Sequence, residues 1–377
     1  MKGKQGMVCM GLLLVLSSCH TGKQITASGL QRKDFQTEVN GQHTDLFTLS
    51  NKQGMEVCIT NYGARVVSIL VPDRNGKRED VVCGFSTITE YMEQRQNFGS
   101  TVGRYIGRIL NARFTLDGVE YKLVPNNGKS GHISHGGNPG FADRIWKVEQ
   151  ADTHRVRLSY LSPDGENGFP GNLKVTLVYS LGEDDNALDL TYEATTDAPT
   201  VLNLSHHSFF NISGNFTKSV EDQQLWVDAA LFTPYDDKKC VTGEYLQVAG
   251  TPLDFRMPHA IGECIDADHP QLKVVNGYDH TWELNTKGDD TRPAAWVYDP
   301  ASGRKMEIFT TEPGMQIYTG NGLKGKMTGK RGIAYPFRSA VCFETMHFQD
   351  SPNQPGFPST VLRPGEVFRS HTVYKFE

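Results

Sequence analysis

Arg113-Phe-Thr-Leu-Asp-Gly-Val-Glu-Tyr-Lys-Leu123 is the segment that decides the fold. Two short runs of alternating apolar and polar residues lie on either side of Asp117-Gly118. Asp-Gly is a strong signal for a two-residue turn between antiparallel strands. The segment therefore predicts a β-hairpin, and the same alternation recurs along much of the chain.

Five further runs show this alternation: Glu56–Thr60, Arg65–Val71, Arg155–Tyr160, Leu173–Tyr179 and Ala187–Tyr192. Long segments with the 3.6-residue period of a helix are almost absent from the sequence. Many strands at short spacing, separated by Gly- and Pro-rich turns, are typical of an all-β sandwich. Neither a linker nor a repeat of fixed period stands out after residue 34. We therefore expect residues 34–377 to form one large single-domain β-sandwich.

The N-terminus indicates where the protein is located. Lys2 and Lys4 precede an apolar run, Met7 to Leu16, of about ten residues, which is typical of a signal peptide. The run is shorter than the roughly 20 residues that span a bilayer. Leu16-Ser-Ser-Cys19 resembles a bacterial lipobox, in which cleavage leaves a lipid-modified cysteine. An ordinary secretory signal followed by a chance cysteine is the alternative.

On the lipobox reading, residues 1–18 are a signal peptide and Cys19 is the site of lipid attachment. Residues 19–33 are polar without apolar periodicity, so we expect a tether there. The protein would then be anchored on a bacterial cell envelope, on the periplasmic or the outer-membrane face, and would contact the membrane only through its lipid.

Composition excludes several classes of partner and cofactor. The chain has 38 Lys and Arg against 43 Asp and Glu, a net charge of −5, and no basic cluster, which argues against nucleic acid. The cysteines after Cys19 are irregularly spaced and form no CxxC pair, so we expect buried thiols instead of a disulfide framework. Acidic residues are plentiful but form no defined ligand loop, which leaves a structural cation such as Ca²⁺ open.

The candidate chemical groups are acids, bases and amides, without a nucleophile motif, a phosphate loop or metal-ligand spacing. They are found in His135-Gly-Gly137, His206-His-Ser208, Asp279-His280, Gly314-Met-Gln-Ile-Tyr318 and Phe343-Glu-Thr345. Such a set suits proton transfer on a neutral substrate that is rich in hydroxyl groups.

In this order the blocks resemble the aldose 1-epimerase (galactose mutarotase) family, from about residue 34 to the C-terminus. Val102-Gly-Arg-Tyr-Ile-Gly-Arg-Ile109, Asn353-Gln-Pro355 and Leu362-Arg-Pro-Gly365 extend the resemblance. It implies a single β-sandwich of the supersandwich type with its site in an open groove on one sheet. It also implies an isomerase that acts on hexopyranoses such as glucose or galactose, and we expect a monomer that needs no cofactor and no catalytic metal.

Interconversion of anomers needs one base and one acid. The base takes the proton of the C1 hydroxyl while the acid protonates the ring oxygen O5, so that the ring opens to the aldehyde. Rotation about C1–C2 followed by the reverse transfers closes the other anomer. Each well-placed proton donor or acceptor can contribute about 10²- to 10⁴-fold in rate.

The resemblance assigns Glu344 as the base and His207 as the acid. From the residues alone, the carboxylate in the apolar strand Ala340–Thr345 could equally face solvent or a site. His206 and His207 share the predicted strand Val201–Asn211, and because successive strand residues point to opposite faces, only one should enter a given groove. Relatives commonly have Asn at the position of His206, which aligns His207 with their acid.

Four further residues are implied as substrate-binding by the resemblance: Arg108, His135, Asp279 and Gln316. Without it, Arg108 reads as a surface ion-pair residue in a glycine-rich strand and His135 as a loop histidine beside two glycines. Gly107 stands where many relatives have Asn, so one hydrogen bond to the sugar is in doubt.

Two other function classes remain open on the sequence. A glycoside hydrolase would use Asp279 and Glu344 as its two carboxylates but would leave His207 without a required role. A carbohydrate-binding surface lipoprotein would favour aromatic platforms over a complete acid and base pair. The sequence does not distinguish glucose from galactose.

Overall fold

A computed structural model describes residues 24–377 of the chain. The predictions for residues 1–18 and for Cys19 lie outside these described residues. Within them, no helix has the length and apolar character needed to cross a membrane. The α-helices of the described part are α1 Ile88–Gln94 and α2 Pro270–Val275, and all remaining regular structure is strand or short 3₁₀ helix.

The strands are numbered in chain order. The first fifteen are β1 Glu38–Val39, β2 Gln42–His43, β3 Leu46–Ser50, β4 Glu56–Thr60, β5 Arg65–Pro72, β6 Arg78–Asp80, β7 Ser100–Val102, β8 Arg108–Ile109, β9 Arg113–Leu116, β10 Val119–Lys122, β11 Ile133–Ser134, β12 Lys147–Ala151, β13 Arg155–Ser162, β14 Leu173–Leu181 and β15 Ala187–Thr196. The others are β16 Thr200–Val201, β17 Ser205–His207, β18 Phe209–Phe210, β19 Gln224–Val227, β20 Ala229–Thr233, β21 Leu246–Gln247, β22 His259–Ala260, β23 Asp279–Leu284, β24 Ala295–Tyr298, β25 Lys305–Thr310, β26 Gly314–Tyr318, β27 Val341–Met346, β28 Val361–Leu362 and β29 Phe368–Phe376. The 3₁₀ helices are Arg32–Phe35, Leu110–Ala112, Gly128–Ser130, Phe141–Asp143, Glu166–Gly168, Ile261–Glu263, Lys330–Gly332 and Ser351–Asn353.

Three antiparallel sheets form the body of the protein. The largest has nine strands in the order β12-β13-β14-β15-β29-β25-β24-β19-β22. The second has six, β18-β27-β26-β23-β20-β21, and the third has four, β3-β4-β5-β6. The main apolar core draws buried side chains from all three sheets, for example Leu177, Ile317 and Val57. The protein is therefore an all-β sandwich, as predicted.

The Asp-Gly hairpin is also confirmed. Strands β9 and β10 pair with Leu116 opposite Val119. Asp117 and Gly118 between them have φ angles of 51° and 80°. Two consecutive left-handed residues are the signature of the turn that matches the right-handed twist of a hairpin.

The prediction of one strand over Val201–Asn211 is wrong. The segment forms the three short strands β16, β17 and β18, which pair with β28, β7 and β27 respectively. The chain changes its partner strand every few residues here, so the alternation of apolar and polar residues comes from strands in three different sheets. Val102–Ile109 is likewise divided, because β7 ends at Val102 and β8 begins at Arg108.

The described part of the expected tether, residues 24–33, packs against the sandwich. Ser28 is buried and its amide donates to Glu56 Oε1 at 3.1 Å. Leu30 joins a buried cluster with Phe35, and Arg32 forms an ion pair with Asp45. The folded body therefore begins ahead of residue 34, the predicted boundary.

All cysteines in residues 24–377 are free thiols. Cys58, Cys83 and Cys342 are buried, as expected, whereas Cys240 and Cys264 are partly exposed.

Candidate active site

The register of the six-stranded sheet places three predicted site residues side by side. Gln316 on β26 lies opposite Glu344 on β27 and opposite Thr281 on β23. Asp279, two residues before Thr281, shares its face of β23, since side chains on a strand alternate between the two faces. Glu344, Gln316 and Asp279 therefore follow one another across three neighbouring strands on one face of the sheet.

His207 completes this line on the other side of β27. Its Nε2 lies 3.4 Å from Oε1 of Glu344, and both side chains are buried. The imidazole stacks on the ring of Phe209 with centroids 5.1 Å apart. The line across the sheet thus reads His207, Glu344, Gln316 and Asp279.

His206 points to the opposite side, as strand alternation predicted. Its Nε2 is 2.6 Å from Ser208 Oγ, and its ring packs beside Tyr179 and Tyr374 in the core. Burial lowers the pKa of His206 to about 3, so this imidazole is neutral. Only His207 of the pair reaches the groove.

Arg108 and His135 lie on the rim because β8 pairs with β11. Arg108 is opposite Ser134, and His135 follows directly with φ of 52°. Its ring is edge-on to that of His207, with centroids 5.5 Å apart. A Cβ on Gly136 would lie 2.0 Å from the carbonyl oxygen of Gly103, so only glycine lets the loop approach this closely.

The six predicted residues line a single cleft of about 250 Å³. Pockets for drug-sized ligands usually measure about 300–1,000 Å³, so this cleft suits one small polar ligand such as a single sugar ring. The six are Arg108, His135, His207, Asp279, Gln316 and Glu344.

Two residues that hold this site together escaped the sequence reasoning. Gln349 Nε2 donates to the hydroxyl of Tyr235 at 2.7 Å, and Gln349 Oε1 accepts from the Arg108 amide at 3.3 Å. Gln316 Nε2 donates to Asp279 Oδ1 at 2.6 Å. This chain of amides fixes the orientation of Asp279. Neither Tyr235 nor Gln349 is among the site residues predicted from the sequence.

The network also explains the glycine at position 107. A Cβ there would lie 2.5 Å from Cγ of Gln349, and the φ of 74° favours glycine as well. Gln349 therefore occupies the space that a larger residue 107 would need.

Comparison with known proteins identifies the family to which a chain with this cleft belongs. The family model described as aldose 1-epimerase matches residues 45–375. The chain belongs to the aldose 1-epimerase family. Galactose mutarotase of Bos taurus is 40% identical over 331 residues, which cover 88% of this chain and 93% of the bovine one. Aldose 1-epimerase of Escherichia coli K12 is 36% identical over 340 residues, covering 89% and 96%.

Solved structures of aldose epimerase homologues share the fold. A GalM/aldose epimerase homologue from C. elegans is similar with a TM-score of 0.81 and 30% identity, covering 89% of this chain and 99% of its own. A galactose 1-epimerase from Lactobacillus acidophilus gives a TM-score of 0.78 at 28% identity, covering 90% and 96%. The chain is therefore an isomerase that interconverts the α and β anomers of aldoses.

Burial sets the protonation of the epimerase cleft. It raises the pKa of Glu344 well above its usual range, and the charge of Asp279 acts in the same direction. Burial and the neighbouring His135 lower the pKa of His207 well below its usual range. Both shifts disfavour the charged forms. Burial therefore favours a neutral carboxyl group on Glu344 and a neutral imidazole on His207.

His207, Cys342 and Glu344 also form the one group of candidate metal ligands in the described residues, with ligand atoms within 4.8 Å of one another. Two of these three are the residues predicted to transfer protons, so a cation bound there would compete with that chemistry.

Proposed function

We propose that the chain interconverts the anomers of hexopyranoses, glucose or galactose among them, with Glu344 as base and His207 as acid. The observation that carries this proposal is the 3.4 Å approach of the two side chains inside a polar cleft lined by hydroxyl-binding groups. A base and an acid that are close together can serve O1 and O5, which are bonded to the same carbon.

Ring opening moves two protons and breaks one bond. Ionised Glu344 takes the proton from the C1 hydroxyl, the electron pair forms the C1 carbonyl, and the C1–O5 bond breaks. Protonated His207 gives its proton to O5. The aldehyde rotates about C1–C2, and closure returns one proton to O1 from Glu344 and one from O5 to His207.

One shared proton is enough for this cycle. Opening converts the pair from carboxylate and imidazolium to carboxylic acid and neutral imidazole, and closure restores the first state. The pair therefore resets itself without help from solvent. Burial, which favours the neutral pair, lowers the free energy of the open-chain state relative to a solvated pair.

The order of side chains across the sheet also orients the sugar. With O5 at His207 and C1 at Glu344, carbons C2 and C3 extend toward Gln316 and Asp279. A carboxylate can accept from two neighbouring hydroxyls, and such charged hydrogen bonds are strong and directional. Arg108 stands on the same rim. These residues hold the ring in place, while C5 and C6 point toward His135.

Polarimetry on freshly dissolved α-glucose and α-galactose tests the proposal. We expect the protein to speed mutarotation and Glu344→Gln to lower kcat by about 10² or more, since the amide keeps the shape but accepts no proton. Glu307→Gln, an exchange on β25 outside the cleft, is the matched control. Cleavage of aryl glycosides would instead support the hydrolase reading, and binding without turnover would support a carbohydrate-binding protein.

The pH profile supplies a second test. The pair carries one proton only between its two macroscopic pKa values. A second proton bound at low pH removes the base, and loss of the last proton at high pH removes the acid. We expect kcat/KM to be bell-shaped, and Glu344→Gln to abolish the acidic limb. A flat profile in the wild type would contradict the paired mechanism.

We also propose that the enzyme acts as a monomer, because one chain supplies every residue of the cleft. Size-exclusion chromatography with light scattering tests this.

Location is a separate proposal. Leu16-Ser-Ser-Cys19 after the charged leader supports anchoring through a lipid on Cys19 at a bacterial cell envelope. Cys19→Ala should release the protein into the soluble fraction or block its processing. Unchanged processing and membrane fractionation would contradict it.

A further inference from the structure

Cys342 lies beside the two residues proposed to transfer protons. It precedes Glu344 by two residues on β27, so their side chains share one face of the strand. Phe209, which stacks on His207, pairs with Cys342 between β18 and β27. Cys342 is a buried free thiol, and the proposed ring opening gives it no task. An imidazole, a thiol and a carboxyl group thus meet at one place, with ligand atoms within 4.8 Å of one another.

The spacing of these atoms suits a tetrahedral Zn²⁺ ion. With Zn–N and Zn–O bonds of about 2.1 Å, a nitrogen and an oxygen ligand of one tetrahedral ion lie about 3.4 Å apart. His207 Nε2 and Glu344 Oε1 are separated by 3.4 Å. A sulfur ligand of the same ion lies about 3.6 Å from each of them, so the Cys342 thiol needs to move by about 1 Å at most. Three protein ligands leave the fourth position open.

The ring nitrogen that faces Glu344 is free to bind a metal. Apart from the backbone of His207 itself, no described group bonds to the other nitrogen, Nδ1, so the proton can reside there and leave the lone pair on Nε2. The pair formed by Cys240 and His132 differs, although Sγ lies 3.2 Å from Nε2. There Nδ1 accepts from the Asn111 amide at 2.9 Å. A neutral imidazole that accepts at Nδ1 carries its proton on Nε2, which then cannot bind a metal.

The donor set selects zinc among the common divalent cations. Thiolate and imidazole ligands suit Zn²⁺, whereas Ca²⁺ and Mg²⁺ take oxygen ligands in larger number. Histidine ligands of zinc usually donate their second ring N–H to a carboxylate or a carbonyl group, and loss of such a partner weakens binding about 10- to 100-fold. Among the described residues, His207 Nδ1 has no such partner beyond its own backbone. The group therefore suits an ion that binds reversibly, not a permanent cofactor.

We propose that Zn²⁺ binds to His207, Cys342 and Glu344 and reversibly inhibits the enzyme. Binding forms one bond from the ion to nitrogen, one to sulfur and one to oxygen, and the protons held by the thiol and the carboxyl group pass to the buffer. The ion occupies the lone pair and the carboxylate that ring opening needs, at the place where the sugar would bring O1 and O5. Inhibition rests on the proposed function, whereas binding of the ion does not.

Polarimetry in the presence of zinc tests the inhibition. The full chain, dialysed against a chelator, is assayed with α-galactose at increasing concentrations of ZnCl₂ in a buffer that does not bind metals. Because the ion and the sugar compete for the same groups, we expect the apparent KM to rise with the Zn²⁺ concentration at unchanged kcat. Addition of the chelator should restore the rate. The same concentrations of MgCl₂ or CaCl₂ should leave the rate unchanged, since both ions prefer oxygen ligands.

Cys342→Ala tests whether the thiol is a ligand. It should retain mutarotation, because no proton transfer uses the thiol. It should raise the Zn²⁺ concentration for half-inhibition by about 10-fold or more, at least the effect of losing the outer partner of a ligand. Cys342→Ser, which keeps the size of the side chain, should show the same shift and covers a core disturbed by alanine. Cys58→Ala removes another buried thiol and Cys240→Ala removes the thiol beside His132, so these matched controls should leave the inhibition unchanged.

Co²⁺, which accepts the same tetrahedral ligands, supplies a readout that is independent of activity. A thiolate bound to Co²⁺ absorbs in the near ultraviolet, so the wild type should gain this band and Cys342→Ala should lack it. Absence of the band in the wild type, unchanged inhibition in Cys342→Ala, relief in Cys240→Ala instead, or equal inhibition by Mg²⁺ would overturn the zinc site. In each of these outcomes the metal-free enzyme still interconverts anomers. Absence of mutarotation in the metal-free wild type would refute the proposed function, while the Co²⁺ band would still report binding.

Discussion

Exchange of the two neighbouring histidines for asparagine separates chemistry from packing. His207 Nε2 lies 3.4 Å from Glu344, whereas His206 on the other face is bonded to Ser208. We expect His207→Asn to abolish proton donation to O5 and His206→Asn to leave the cleft unchanged.

The two losses should differ in kind and in size. Removal of a positioned acid costs about 10²- to 10⁴-fold in kcat, or about 3–5 kcal/mol of transition-state stabilisation. His206→Asn removes a buried ring that packs beside Tyr179 and Tyr374. Loss of that packing and of the bond to Ser208 should destabilise the fold by about 1–3 kcal/mol. We expect its kcat to stay within about threefold of the wild type, because no general acid is lost.

The assay is polarimetry of α-glucose at 25 °C, paired with thermal unfolding of each variant. His207→Asn should lose turnover with little change in Tm, and His206→Asn should lose Tm with little change in turnover. Equal losses of kcat, or a larger loss for His206→Asn, would refute the assignment of His207 as the acid.

Three further predictions follow from the same structure. Asp279→Ala and Arg108→Ala should raise KM more than they lower kcat, because contacts made equally in the ground state and the transition state appear in KM. Steady-state kinetics check this. A collapse of kcat at unchanged KM would place either residue in the chemical step. Exhaustive dialysis against a chelator should leave mutarotation intact, whereas activity lost with the fold intact and restored by a metal would overturn the metal-free mechanism. The Asp189 and Asp290 carboxylates raise the pKa of His371 to about 9. Protonated His371 should therefore add about 1 kcal/mol, after solvent screening, to the free energy of unfolding. This contribution should be fully present below pH 6.5 and lost as pH rises through 9. Denaturant unfolding at pH 6 and pH 10 checks this, and Asp290→Asn should flatten the difference.

Much of the fold could be predicted from the sequence because alternation reports directly on half-buried strands. The two strands of the hairpin around Asp117-Gly118 pair with each other along their length, and the long strand β14 Leu173–Leu181 keeps one partner on each side. Alternation failed at Val201–Asn211, where the backbone passes between three sheets. Which sheet a strand joins depends on contacts distant in sequence, and local periodicity carries no information about them.

The site was predicted unevenly, for a related reason. His207 and Glu344 stand in recognisable blocks, and strand alternation separated His207 from His206. Gln349 and Tyr235 have no local signal, since their role depends on meeting Gln316 and the Arg108 backbone in space. Likewise the sequence marked Gly107 only as a missing hydrogen bond to the sugar. In the structure, a Cβ at position 107 would clash with Gln349, whose side chain occupies that space.

If Glu344 is the base and His207 the acid, as we propose, then their burial in the same cleft gives a physical reason for catalysis without a cofactor. In the sugar-free cleft, burial favours the neutral forms of Glu344 and His207. The sugar brings hydroxyl groups that hydrogen-bond the carboxylate and the imidazolium, which offsets the desolvation that raised the energy of the ionised pair. Part of the binding free energy is thus converted into the protonation state that opens the ring. Opening then returns the pair to the neutral state that the protein itself favours. The same residues therefore lower the barrier in both directions, as an enzyme that equilibrates two anomers of nearly equal free energy requires.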